Sequence, residues 1–147
     1  FFEIAGAYRR YQCPQSRTLF LGHVPDTYRK AEAAVADATQ AVLGMAAPGL
    51  RCEDLARVFN GTLAQHGFHK DSRVGYAIGM SYPPDWGERT MSLRAGDKTA
   101  LKAGMTFHFM PALWLDDGGI EMTEPILITA AGCERLTTTP PGLVVKP

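Results

Sequence analysis

The sequence predicts an α+β fold, because two consecutive segments of helical period lie between blocks of short β-prone runs, and those runs are joined by turns of hairpin length with no βαβ repeat. With 147 residues, 46% of them apolar, there is enough material for one packed core. Neither an internal repeat nor a low-complexity linker divides the chain, so residues 1–147 read as one unit, an antiparallel sheet with two helices on one face.

The elements follow in order. Phe1 to Tyr8 is apolar and β-prone, and Arg17 to Gly22 is a second short strand, with Cys13-Pro14-Gln15-Ser16 as the punctuation of a hairpin between them. After Pro25-Asp26 the period changes: Tyr28, Ala31, Val35, Ala38, Val42 and Met45 recur at intervals of three and four, which predicts an amphipathic helix ending at Pro48-Gly49. Leu50 to Gly67 repeats the pattern. Glu53 and Asp54 suit its first turn, Leu55, Phe59, Leu63 and His66 form its stripe, and Gly67 is its cap. Strands are expected over Arg73 to Met80, Met105 to Leu115, Ile120 to Thr129 and Cys133 to Leu136. A long loop over Ser81 to Glu88, turns at 94–97 and 101–104, a hairpin turn at Asp116-Asp117-Gly118-Gly119 and a terminal arm from Thr137 complete the chain.

Composition excludes several functions. Fifteen basic and fifteen acidic residues give a formal net charge of zero, so no field gathers nucleic acid. No run approaches the roughly 20 apolar residues of a membrane span, and no signal-peptide order opens the chain. Cys13, Cys52 and Cys133 are odd in number and form no CxxC spacing, which fits a reducing cytoplasm. The opening Phe1-Phe2-Glu3-Ile4 reads as a strand already under way, so the chain is expected to be a piece of a longer protein.

Three regions carry chemistry. Glu3 lies in an apolar run, where an ionised carboxylate is costly to bury; it stands either on the solvent face of its strand or in a site. Tyr82, Asp85, Trp86 and Glu88 occupy a Pro-rich loop of the composition that receives a cationic or planar ligand, or that simply forms an ordered surface loop. His108 faces opposite to Phe107 and Phe109, with Glu121 further along; a satisfied structural histidine is the plain alternative. His66 and His69 flank a helix end, Ser16 and Ser81 lack a nucleophile elbow, and no HExxH or P-loop occurs.

Several strings together, IAGAY, SRTLFLG, PGLRCEDLARVF, GYAIG, LKAGMTFHFMPALW and ILITAAG, resemble the later part of the catalytic domain of the creatinase, prolidase and methionine aminopeptidase superfamily. The resemblance implies the pita-bread fold. Metallopeptidases of that superfamily hold two metal ions with five side chains, and the matching positions carry Glu3, Pro14, Tyr76, Met110 and Thr123, with Glu124 adjacent to the last. Four of those five are poor ligands for hard divalent cations, so the resemblance implies a branch with no metal and no cofactor, as in creatinase. The strings GYAIGMSYPPDWGERTMSLR and GMTFHFMPALWLDDGGIEMTEPILIT are similar to the ectoine hydrolase branch. That branch implies a small-molecule substrate, ectoine or hydroxyectoine, and a homodimer. Its implied catalytic residues are Glu3, Tyr76 and Glu88: Glu3 attacks the amidine carbon or holds and deprotonates the attacking water, and Tyr76 and Glu88 position the amidine nitrogens and pass protons. The implied substrate contacts are Tyr82, Asp85, Trp86, His108 and Glu121. A misplaced ligand set would instead leave an Xaa-Pro peptidase, and lost ligands also permit a non-catalytic binding module.

Overall fold

The computed structural model describes residues 1–147, with two helices and eleven strands. In chain order these are β1 (Phe2–Tyr8), β2 (Tyr11–Arg17), β3 (Leu19–Leu21), α1 (Asp26–Met45), α2 (Cys52–Gln65), β4 (Gly75–Ile78) and β5 (Gly87–Leu93). There follow β6 (Thr106–Phe109), β7 (Ala112–Leu115), β8 (Gly118–Glu121), β9 (Glu124–Ile128), β10 (Cys133–Arg135) and β11 (Val144–Lys146).

The main sheet is antiparallel, in the order β10-β9-β6-β4-β5. One face is covered by the helices. α1 buries Tyr28, Ala31, Ala34, Val35, Ala38 and Val42, and its alanines let α2 approach closely. α2 buries Leu55, Phe59 and Leu63, and the Phe59 ring meets Phe109 of β6 edge-on at 5.8 Å between centroids. Because side chains alternate along a strand, Phe107 and Phe109 point to the helices and His108 points away from them. His108 is nevertheless fully buried, since the β1–β2 hairpin lies over the other face. No helix is long and apolar enough to cross a membrane.

Several expectations need correction. Cys13-Pro14-Gln15-Ser16 is not punctuation but the middle of β2; the hairpin turns instead at Arg9 and Arg10, both at positive φ (48° and 73°). A two-residue turn with both positions left-handed suits the twist of its strands, but arginine carries no sequence signal for it. Pro14 is tolerated opposite Ala5 because β2 ladders with β1 alone. The expected strand over Met105 to Leu115 is two strands, broken at Met110-Pro111, and that over Ile120 to Thr129 is two, broken at Met122-Thr123. β5 is not among the expected strands at all: it begins inside the expected loop, at Gly87, and its polar alternation fits a sheet edge. Finally, the terminal arm adds β11, which pairs with β3 in parallel, so the small sheets are not all antiparallel. His66 also leaves the core stripe and pairs with Asp37 of α1 at 2.9 Å.

Candidate active site

β4 and β6 are neighbours in register, with Tyr76 directly opposite His108. Their rings meet edge-on, and the Tyr76 hydroxyl lies 2.8 Å from His108 Nδ1. Trp86, on the loop entering β5, donates its indole N–H to the same hydroxyl at 2.7 Å. An indole nitrogen only donates, so Tyr76 accepts from Trp86, which leaves its own O–H proton available to His108 Nδ1. With the acceptor-only Glu3 carboxylate facing Nε2, the imidazole proton is assigned to Nε2 and Nδ1 accepts from Tyr76. Burial, reinforced by the nearby Arg73 charge, lowers the His108 pKa to about 4, so the ring is neutral at neutral pH.

His108 Nε2 faces the Oε1 atom of Glu3 at 3.6 Å. Both atoms are shut off from solvent, and neither has a hydrogen-bond partner. This is a neutral imidazole facing a carboxylate, not an ion pair, and at 3.6 Å it is one small movement short of a hydrogen bond. β1 inverts the usual polarity to achieve this. Phe2 and Ile4 are 66% and 69% exposed while Glu3 turns inward, so the solvent-face alternative for Glu3 does not hold. Burial raises the Glu3 carboxyl above its ordinary range.

A set of hydroxyl bonds fixes that inward turn. Glu3 pairs across the hairpin with Ser16, whose backbone N–H donates to the Thr123 hydroxyl at 2.8 Å while the Thr123 N–H donates back to the Ser16 hydroxyl at 3.0 Å. Two residues on, the Thr18 hydroxyl donates to the Glu121 carbonyl at 3.0 Å and accepts from the Glu121 N–H at 2.8 Å. The hairpin is thereby pinned to the β8–β9 link, which brings Glu121 into the field of Glu3. Burial, then the Glu3 charge, push the Glu121 carboxyl up to about 7, against the pull of Lys70. Lys70 is itself buried, and burial lowers its pKa.

Beyond Tyr76 a cavity of about 580 Å³ opens, lined by Tyr76, Trp86, Asp85, Glu88, Arg73 and Arg89 among others. Asp85 is occupied by Arg89, at 2.8 Å, and by the Gly87 N–H. Glu88 lies with its carboxylate packed against Gly79. Tyr82 is 63% exposed and bonds Arg10 at the hairpin turn, apart from the cavity lining. Of the residues singled out from sequence, Glu3, Tyr76, Trp86 and His108 thus form one connected chain, Glu121 adjoins Glu3, Asp85 and Glu88 share the cavity, and Tyr82 sits outside it. Lys70 and Arg73 were missed, since neither stands in a motif. The hydroxyl pins were partly visible, as Ser16 and Thr18 place two hydroxyls at strand period.

The sequence profile of metallopeptidase family M24 matches residues 1–130, nine-tenths of this architecture. The chain belongs to that family. Within family M24 it is 52% identical over 147 residues to the ectoine hydrolase of Halomonas elongata, covering 99% of this chain and 37% of that protein. It is 23% identical to an Xaa-Pro dipeptidase of Pyrococcus horikoshii, over 97% of this chain and 40% of the dipeptidase. A dipeptidase crystal structure from Pyrococcus horikoshii superposes with a TM-score of 0.89 at 21% identity, covering 98% of this chain and 40% of that one. The chain therefore spans about two-fifths of the length of these relatives, and the pita-bread architecture holds over that part.

The donor set does not fit the pair of metal ions the family name implies. Pro14 offers no donor, Met110 only a soft thioether, the Thr123 hydroxyl is engaged with Ser16, and the Tyr76 hydroxyl with Trp86 and His108. Glu124 is no substitute. It is buried and held by Arg17 at 2.6 Å, Arg135 at 3.0 Å and the Thr137 hydroxyl at 3.0 Å. No three His, Cys, Asp or Glu side chains converge to hold a metal ion.

Proposed function

We propose that this chain carries the catalytic carboxylate of a hydrolase that opens the cyclic amidine ring of ectoine at a C–N bond, without a metal, giving an N-acetyl-diaminobutyrate, or that of hydroxyectoine, giving the hydroxylated counterpart. The observation that carries the reading is Glu3: an unpartnered, inward-facing carboxylate at a family metal position, set against a neutral imidazole. The 52% identity to a protein named ectoine hydrolase supports the substrate.

The amidinium of such a substrate spreads its charge over two nitrogens and leaves the carbon between them electrophilic. Glu3 delivers oxygen to that carbon, from its own carboxylate or from a water it deprotonates. One C–O bond forms, the C–N bond to one ring nitrogen breaks, and that nitrogen leaves as an amine after taking up a proton; where the oxygen is Glu3's own, a water then adds at the same carbon, the Glu3–carbon bond breaks and the carboxylate is restored. A small closing movement from the 3.6 Å separation would let His108 Nε2–H take one Glu3 oxygen and leave the other free. Tyr76, with its proton on His108, acts through that ring as a positioning residue, and Trp86 orients Tyr76. Glu121, titrating near 7, is suited to hold or supply the proton for the departing nitrogen.

The test is Glu3→Gln in the intact protein. The substitution keeps shape and removes the charge, so ring opening should fall by at least about a thousandfold with the thermal midpoint unchanged. Retained turnover in a folded Glu3→Gln protein contradicts the assignment.

A further inference from the structure

The cavity beside Tyr76 has an uneven charge balance. Asp85 and Arg89 pair with each other at 2.8 Å. Arg73 lies over the face of the Tyr76 ring, its guanidinium carbon 4.3 Å from the ring centroid, and it makes neither an ion pair nor a side-chain hydrogen bond. Glu88, lining the same cavity, likewise has no cationic partner. One free cation and one free anion therefore remain in a space of about 580 Å³. Such a space is complementary to a zwitterion, and stacking on Tyr76 fixes the guanidinium plane for two-point contact with a carboxylate.

We propose that Arg73 is the anchor for the substrate's carboxylate, so that the site selects cyclic amidines bearing an acid group over uncharged-tail amidines. The assignment rests on the amidine hydrolase reading. Arg73 sits three residues before Tyr76 on the approach to β4, and its charge reaches both Tyr76 and His108, which places the anchored end of the substrate next to the chain that holds Glu3. A small amino acid derivative held by its carboxylate at Arg73 has its amidinium free to turn toward carboxylates.

The experiment compares ectoine with the same cyclic amidine lacking the carboxylate, using the intact enzyme and its Arg73→Gln and Arg73→Lys variants. The unsubstituted enzyme should prefer ectoine. Arg73→Gln should lose about 10- to 100-fold in kcat/KM for ectoine, mainly in KM, leave the decarboxylated amidine within about threefold, and be partly rescued in Arg73→Lys. Equal losses on both compounds, or an undiminished preference for ectoine in Arg73→Gln, overturn the anchor while ring opening by the unsubstituted enzyme leaves the amidine reading standing. Opening of neither compound by the unsubstituted enzyme overturns the amidine reading and the anchor with it.

Discussion

Tyr76→Phe removes a single oxygen and undoes two bonds at once. Trp86 loses the acceptor for its indole N–H, and His108 loses the donor that faces Nδ1. Each lost bond contributes about 1 kcal/mol net, and an unpartnered buried nitrogen at Nδ1 adds about 1–3 kcal/mol, since His108 is fully buried. The expected destabilisation is about 3–5 kcal/mol, which in a domain of this size lowers the thermal midpoint by roughly 8–20 °C. Tyr82→Phe is the control: its hydroxyl bonds Arg10 at the surface, and its removal should stay within about 0.5 kcal/mol. Thermal and urea unfolding of the three proteins decide the matter, with the imidazole nitrogen shifts of His108 as a second readout. The Nε2–H tautomer should dominate in the unsubstituted protein and lose that dominance in Tyr76→Phe. Indistinguishable midpoints for Tyr76→Phe and Tyr82→Phe, with the tautomer unchanged, refute the donor order from Trp86 through Tyr76 to His108.

Glu121→Gln should gain stability relative to the unsubstituted protein as pH rises from about 4.5 to about 7, because over that window the unfolded chain's carboxyl ionises while the folded one, raised to about 7 by burial, keeps its proton, and glutamine has no such difference. The 4.5-to-7 separation, at about 1.4 kcal/mol per pH unit, sets an upper size of roughly 3 kcal/mol; paired urea titrations at pH 5 and pH 8 measure it, and no difference between them counts against the burial argument. Glu124→Ala leaves Arg17 and Arg135 without their shared carboxylate and should cost about 3–5 kcal/mol in urea unfolding; a loss under 1 kcal/mol contradicts its assignment as a buried structural pair. Gly75→Ala places a methyl group 2.8 Å from the His108 carbonyl oxygen and 2.8 Å from the Leu93 side chain. Because backbone cannot yield as a side-chain tip does, the midpoint should fall by an amount matching about 1–3 kcal/mol, and an unchanged midpoint shows that β4 and β6 are not tightly apposed at this point.

The helices were legible because a period of 3.6 survives in sequence whatever the partner: Tyr28, Ala31, Val35, Ala38 and Val42 all reach the core as their spacing predicts. The hairpin at Arg9-Arg10 was not, because a positive φ at arginine is imposed by the strands around it and leaves no residue signature. Alternation places His108 opposite to Phe107 and Phe109, yet its burial depends on β1–β2 crossing from far away in sequence. Glu3 shows the limit most clearly. Alternation correctly separates it from Phe2 and Ile4 but cannot say which face is inside, and the Ser16–Thr123 and Thr18–Glu121 bonds decide that. Arg73 was invisible for a related reason, since its meaning lies in the partner it lacks within the cavity.

The central claim of the proposal is that Glu3, faced by a neutral His108, opens a cyclic amidine without a metal ion. The most direct test follows ring opening of ectoine by the intact protein with and without a strong chelator. Undiminished turnover after chelation is the predicted result; loss of ectoine turnover on chelation, or chelator-sensitive cleavage of an Xaa-Pro dipeptide with no action on ectoine, contradicts it.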